Sequence, residues 1–325
     1  MNDERRPRPD GFIVHHSSFI LHHSHMLSLL LATWLSLAPL HEARQEVAVA
    51  TAAGRVYVFG GIAGNTVLAS VEEYDPATDR WRFVAPIPEP LHHTAAAVVD
   101  DRYIYLIGGY RTLAFDATDS VYRYDALADQ WTRVASLPSP RGALAAATIG
   151  GVVYAVGGLP GPSELTGFDG ERWTTLAPLP TPREHLAAAA VNGKLYVISG
   201  RFGGSNRAAV EVYNPNTNTW SSRAPIPTAR SGIAAAAFGD RIYVFGGEGN
   251  PAAPSGVFPQ VESYDIWADS WRAEPLMPTP RHGIGAAAVG GAIYVPAGAA
   301  VAGFGITDTN EALLIASPFR RRALK

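Results

Sequence analysis

An all-β, six-bladed propeller is the fold this sequence predicts, and three observations predict it. A unit of four short strands returns about every 42 to 51 residues; one tryptophan and one pair of small residues recur six times at matching places; and the chain starts with a strand that its last unit lacks. Internal repeats of this period take precedence over any division of the 325 residues into ordinary domains.

The unit is plainest from Val71 to Tyr110. An alternating run ends at Tyr74, Asp75-Pro76 opens a polar turn, and Trp81 enters the returning strand. Pro presets φ at such a turn and the Asp side chain can bond backbone amides further on. The prolines of Pro86-Ile87-Pro88-Glu89-Pro90 then block ladder pairing and lead the chain away. An alanine-rich strand from Thr94 to Val99 follows, then a turn at Asp100-Asp101 and a β-branched and aromatic strand from Tyr103 to Ile107, ending in Gly108-Gly109.

Composition bounds the rest. Hydrophobic residues make up 47% and charged ones 17%, which gives a core and excludes a disordered chain. A net charge of −3 without a basic patch in the repeats gives nucleic acid nothing to bind. The basic tail, residues 317–325, reads as a solvated end. Zero cysteines exclude disulfides, thiol catalysis and thiolate metal sites without fixing the compartment, for which a cytoplasmic location is favoured over a secreted or periplasmic one. No window has the roughly 18 apolar residues of a membrane span.

Residues 1–26 read as an appendage, disordered or concerned with targeting, or as a mis-assigned start with Met26 the true one. Its near-duplicated HHSSFIL and HHSHMLS match nothing in the repeats. The apolar run Leu27 to Leu40 has the length of a signal-peptide core, with Arg5, Arg6 and Arg8 upstream. The repeat offers another reading, since Trp34 to Arg44 aligns with Trp173 to Arg183. The last unit runs through Ala292 to Val295 and Asn310 to Ile315 and stops without a Trp strand. The predicted propeller therefore spans 27–316, with the Trp34 strand completing the sixth blade and pairing the two terminal edges.

Gly-Gly, then Tyr, then Trp seven residues after the Tyr stands as Gly60-Gly61, Tyr74, Trp81; as Gly108-Gly109, Tyr124, Trp131; and as Gly246-Gly247, Tyr264, Trp271. The fourth unit has Ser199-Gly200, the third has Phe168 for Tyr, and the sixth has Ala297-Gly298 and Leu313. This pattern resembles the kelch repeat, and the resemblance covers about Trp34 to Ile315. It implies a six-bladed kelch β-propeller in which these residues are scaffold. Physics agrees, because glycine pairs permit positive φ and close backbone passage, and each Trp fills a wedge between blades.

Candidate chemistry falls on one face, where the entry into each alanine strand and the loop between second and third strands meet. The entries repeat an arginine, Arg44, Arg141, Arg183, Arg230 and Arg281, with Leu91 at the second blade's place. The histidines outside the appendage also lie there: His41, His92, His93, His185 and His282. Two readings stand for this set. A ring of guanidinium and imidazole groups round the channel mouth would suit carboxylate or phosphate ligands, whereas an arginine repeated at one place can also be scaffold that bonds carbonyls at the blade junction. The variable loops add Tyr110, Arg111, Arg201, Phe202, Glu248 and Phe258 as candidate contacts.

Enzymatic readings have less to stand on. Kelch-fold copper oxidases use a Cys-Tyr radical cofactor, which a chain without Cys cannot make. A copper or zinc site from His92, His93, His185 and His282 would draw on separate blades with no carboxylate indicated, so no metal and no cofactor is expected. A sugar mutarotase, as the resemblance also allows, would need Glu184 or Glu248 as acid or base. The sequence thus predicts a noncatalytic, monomeric binding module for an acidic peptide, protein or glycan. The alternative is a small-molecule enzyme such as a sialic-acid-type sugar mutarotase or epimerase.

Overall fold

A computed structural model describes residues 32–315, which form six four-stranded antiparallel sheets. The appendage, the start of the Leu27–Leu40 run and the basic tail lie outside the described residues. Each sheet is one blade. The first runs Ala48–Ala52, Arg55–Phe59, Val71–Asp75 and Arg80–Val84 from axis to rim, and the next four repeat that order along the chain. The sixth takes Ala287–Val289, Ala292–Pro296 and Asn310–Leu314 from the C-terminal end and Thr33–Leu37 from the N-terminal end, with Trp34 opposite Leu313. The spare strand therefore closes the last blade as the repeats predict.

Why alanine recurs next to the axis is visible in burial. Ala48, Ala50 and Ala52 alternate with more open positions, and the same alternation runs through Ala187–Val191. Six innermost strands converge there, and only small side chains fit between them. Further out, the spaces between blades hold the core, one apolar cluster per space. Phe59 of the first blade, for example, lies edge-on to Tyr124 and Trp131 of the second at centroid distances of 6.2 and 5.9 Å.

Polar stitches cross the same spaces. The Trp81 indole N–H donates to the Ala38 carbonyl at 2.8 Å, and the Ala38 N–H donates to Asp79 at 2.8 Å. Asp79 also accepts the Tyr74 hydroxyl at 2.7 Å. Trp131 with Asp129, Trp220 with Asn218 and Trp271 with Asp269 repeat the pattern onto Ala85, Ala177 and Ala224. The tryptophans are thus both apolar wedges and hydrogen-bond donors to the preceding blade.

The glycine pairs act at the opposite end of the second strand. Gly246 has φ 55°, and a Cβ there would lie 2.2 Å from the Arg281 carbonyl oxygen of the next blade. Gly247 N–H donates to that same oxygen at 2.9 Å. The corresponding bond recurs at every junction, including Gly298 to Arg44 at 2.8 Å across the closure between the sixth and first blades.

Candidate functional site at the axial mouth

Two residues past each entry arginine, or past Leu91 in the second blade, the backbone turns left-handed. Glu46, His93, Ala143, His185, Gly232 and Gly283 have φ between 50° and 63°. Each donates its N–H to the carbonyl of the equivalent residue in the preceding blade, and Glu46 donates to Gly283 at 2.8 Å, which closes the set into a collar. Individual bonds are 2.8 to 3.1 Å. A left-handed conformation costs a non-glycine residue roughly 1 to 2 kcal/mol. Two collar positions avoid that cost with glycine; Glu46, His93, Ala143 and His185 do not.

Their side chains meet in a pocket of about 150 Å³ on the loop face, lined also by Arg201, Glu248, His282, Phe115 and Phe304. Glu46, His93 and His185 each bring one donor atom into a group spanning no more than 4.8 Å. Separate blades therefore do not keep the histidines apart, as their spacing along the sequence suggests, and a carboxylate does join them. The collar is the reason, since it draws one residue from each blade toward the axis. Glu46 is absent from the sequence-predicted set although it occupies the register of His93 and His185, two places after Arg44.

Burial governs the electrostatics here. It pushes the Glu46 carboxyl up to about 8, with the Glu248 charge adding to the shift and Arg201 opposing it. Burial also holds His93 and His185 well below the ordinary imidazole value, with His185 adding to the His93 shift and Arg201 adding to both. His92 and His282 are lowered by the same cause. Near neutral pH these imidazoles are uncharged, each with one nitrogen that accepts; His185 has Arg201 Nη2 3.3 to 3.4 Å from its ring nitrogens.

Hydrogen bonds assign the tautomers. His92 Nε2 meets the Thr112 carbonyl at 2.9 Å and must be the protonated nitrogen, so its Nδ1 is an acceptor. His93 Nδ1, 2.6 Å away, then carries the proton between the two rings. That leaves His93 Nε2 as a bare lone pair, 3.1 Å from Glu46 Oε2. His282 repeats the situation: Nε2 donates to the Val301 carbonyl at 3.1 Å, and Nδ1 is left 3.5 Å from Glu46 Oε1 and from Glu248 Oε2.

The arginines turn out differently from the ligand reading. Arg44, Arg141, Arg183, Arg230 and Arg281 are all 0% exposed, and their guanidiniums lie within the blades and not at the mouth. Arg44 donates to the Gly60 and Ser70 carbonyls and to Glu72. Arg183 reaches Glu211 at 2.5 Å, and Arg230 is paired with Glu262. Arg141, whose blade has Thr166 at that place, bonds its hydroxyl at 3.0 Å. Burial, with the guanidiniums bonded to strand carbonyls and to carboxylate or hydroxyl groups within the blades, makes this set scaffold. In the second blade, Leu91 and Tyr122 replace the pair with two buried apolar residues.

Other candidates divide. Arg201 is at the mouth, ion-paired with Glu248 and, at 2.8 Å, with Glu184. Arg111 pairs with Asp116 at 2.8 Å on an exposed loop. Tyr110 is buried across the third blade's entry, where a Cβ on Gly142 would lie 2.4 Å from its ring, and Phe258 is 7% exposed. Phe202 is 40% exposed, and Phe115 and Phe304, absent from the predicted set, are 51% and 72% exposed. Beside the axial pocket lies a groove of about 570 Å³ that shares Arg201 and Glu248 with it and runs past Asn206, Ser231 and Phe258.

Comparison with known proteins agrees with this architecture. The domain described as the KLHDC2/KLHL20/DRC7 Kelch-repeats domain matches residues 17–158 and 165–298, well over half the sequence. The chain belongs to the kelch-repeat family. It is similar to human Kelch-like protein 35, 37% identical over 86 residues that are 26% of this chain and 15% of that protein. Beta-scruin of Limulus polyphemus is 38% identical over 87 residues, 26% of this chain and 9% of that one. Human Kelch repeat and BTB domain-containing protein 13 is 43% identical over 58 residues, 18% and 13% of the two chains. The matched stretches thus span a small part of these kelch relatives. The comparisons support a protein-interaction module, and among the described residues no helix is long and apolar enough to cross a membrane.

Proposed function

We propose that this kelch domain is a noncatalytic interaction module whose loop face takes an extended protein segment, with one apolar side chain anchored at the axial mouth. The observation that carries this reading is the set of exposed apolar residues on the loops of that face, Phe115, Leu159, Phe202, Val301, Phe304 and Ile306, contributed by four blades, of which Phe115 and Phe304 line the pocket. Isolated exposed apolar residues are ordinary, but aromatic side chains gathered at the rim of a pocket and groove are the composition of binding hot spots. The pocket has room for one side chain and the groove for a few residues of peptide.

An acidic ligand would meet a single cation here. Arg201 is the guanidinium that faces the pocket and groove, and Glu184 and Glu248 already oppose it. An acidic residue in the segment would compete with those carboxylates for Arg201, so apolar contact is the main source of affinity and charge a secondary one.

A peptide array and a glycan array probed with the full chain test the proposal. Retained peptides should share an apolar anchor, and Phe304→Ala should weaken them about tenfold or more with an unchanged melting temperature. Retention of glycans alone, or of peptides insensitive to Phe304→Ala and Phe202→Ala, would overturn it.

A further inference from the structure

The collar poses a problem that the interaction reading does not use. The His93 Nε2 and His282 Nδ1 lone pairs both point at Glu46, one toward each carboxylate oxygen, at 3.1 and 3.5 Å. His282 is 1% exposed, and its Nδ1 has no hydrogen-bond partner. A single carboxyl proton on Glu46 can satisfy one of these two lone pairs and not both, so one buried acceptor is left without a donor unless a cation lies there.

We propose that Glu46, His93 and His185 bind a divalent transition-metal ion of the zinc type, with His282 Nδ1 in reach as a fourth donor. Two or three imidazole nitrogens and one carboxylate are the donor set such an ion prefers. Bonds of about 2.0 to 2.2 Å at tetrahedral angles put donor atoms roughly 3.3 to 3.6 Å apart. The His93–Glu46 and His282–Glu46 distances already sit close to that spacing, and the full group of three, within 4.8 Å, needs only a small inward movement of side chains.

Three further features fit an ion. His93 Nδ1 is held by His92, which is in turn held by the Thr112 carbonyl, and this outer support fixes the ring with Nε2 inward. Collar positions without a donor are small, and Gly283 makes room for the carboxylate: a Cβ there would lie 2.6 Å from Glu46 Oε1. Charge agrees as well. Glu184 and Glu248 both oppose one guanidinium, Arg201, so a cation would meet a net negative charge even with the Glu46 carboxyl uncharged.

Cobalt(II) alone, titrated into the full chain, is the test. A site of this kind gives an intense d–d absorption that saturates at one equivalent, whereas histidines on a flexible segment give the weak spectrum of a hydrated ion. The band should be lost in His93→Ala and in Glu46→Gln, and zinc should displace cobalt and raise the melting temperature of the unaltered chain only. If His93→Ala does not fold, His185→Gln, with circular dichroism matching the unaltered chain, serves in its place. Absence of the band, or a band unchanged by Glu46→Gln and His185→Gln, would overturn the assignment.

Discussion

Arg281 and Glu311 meet at 2.7 Å in the sixth blade with side chains 0% and 3% exposed. The guanidinium also donates to the Ala297 and Thr309 carbonyls at 2.7 and 3.1 Å, so it holds the end of one strand, the loop and the next strand together. Burial lowers it to about 10 while Glu311 pulls the other way, which leaves it charged at neutral pH. Removing one partner strands a buried charge, and Arg281→Ala should cost about 3 to 5 kcal/mol in urea denaturation. The second blade shows the tolerated alternative in Leu91 and Tyr122, both buried. Arg281→Leu combined with Glu311→Tyr should therefore recover most of the loss, and a double variant no better than Arg281→Ala would refute the pairing.

The blade junction gives a second prediction. Gly246 has left-handed φ and no room for a Cβ against the Arg281 carbonyl. The fourth blade carries Ser199 at that place, with φ 52°; its hydroxyl lies 2.7 Å from the Arg230 carbonyl and 2.8 Å from that of Arg207, can donate to either, and accepts from the Arg230 N–H at 3.1 Å. The serine thus turns a close contact into hydrogen bonds. Gly246→Ala should lower stability by about 1 to 3 kcal/mol, and Gly246→Ser should lower it less. The order of the two midpoints in denaturant decides the matter; Ser equal to or worse than Ala would count against this account of the junction.

These junctions also explain what could be read in the sequence. Gly-Gly, Tyr and Trp at fixed spacing report backbone and wedge positions that every blade shares, so the blade count and the N-terminal closure follow from the pattern alone. The arginines share the same periodicity in five of the six blades, and buried inside those blades they belong to the scaffold. The site lies in what breaks the symmetry, Glu46, His93 and His185 against Ala143, Gly232 and Gly283. Nothing in the local sequence says that a left-handed turn aims these side chains at one point, because the collar forms only when six blades close.

Acid stability should depend on the turn carboxylates. The Asp269 carboxyl is held below its ordinary value by the Tyr264 hydroxyl and by the Ala224 N–H, both of which favour the ionised form. A depressed carboxyl stabilises the fold above its ordinary value of 3.8 and loses that contribution as pH falls through the lower folded value. The fourth blade already has an uncharged equivalent, Asn218, which accepts from Tyr213 at 2.7 Å and from Ala177 N–H at 2.9 Å. Asp269→Asn should keep both bonds and flatten the fall in melting temperature below about pH 4. A profile that falls as steeply as the unaltered chain would show that Asp269 does not contribute.

Closure of the ring is open to a direct test. Thr33–Leu37 pairs along the whole of Asn310–Leu314, and Trp34 packs edge-on to Phe245 at 6.0 Å while its indole N–H donates to the Pro275 carbonyl at 3.0 Å. One strand therefore covers the sheet edge of the sixth blade and part of the space between the fifth and sixth. Deleting residues 1–45 also removes Arg44, whose carbonyl accepts from Gly298 at 2.8 Å. Asn310–Leu314 would then present unpaired backbone groups, a template for pairing with another chain. Melting temperature should drop, and light scattering should show self-association beyond that of the full chain and rising with concentration. Trp34→Ala keeps the backbone pairing and loses the wedge, so it should lower stability by about 2 to 3 kcal/mol without that association. A deletion variant as stable and as dispersed as the full chain would mean that the two ends do not hold the ring together.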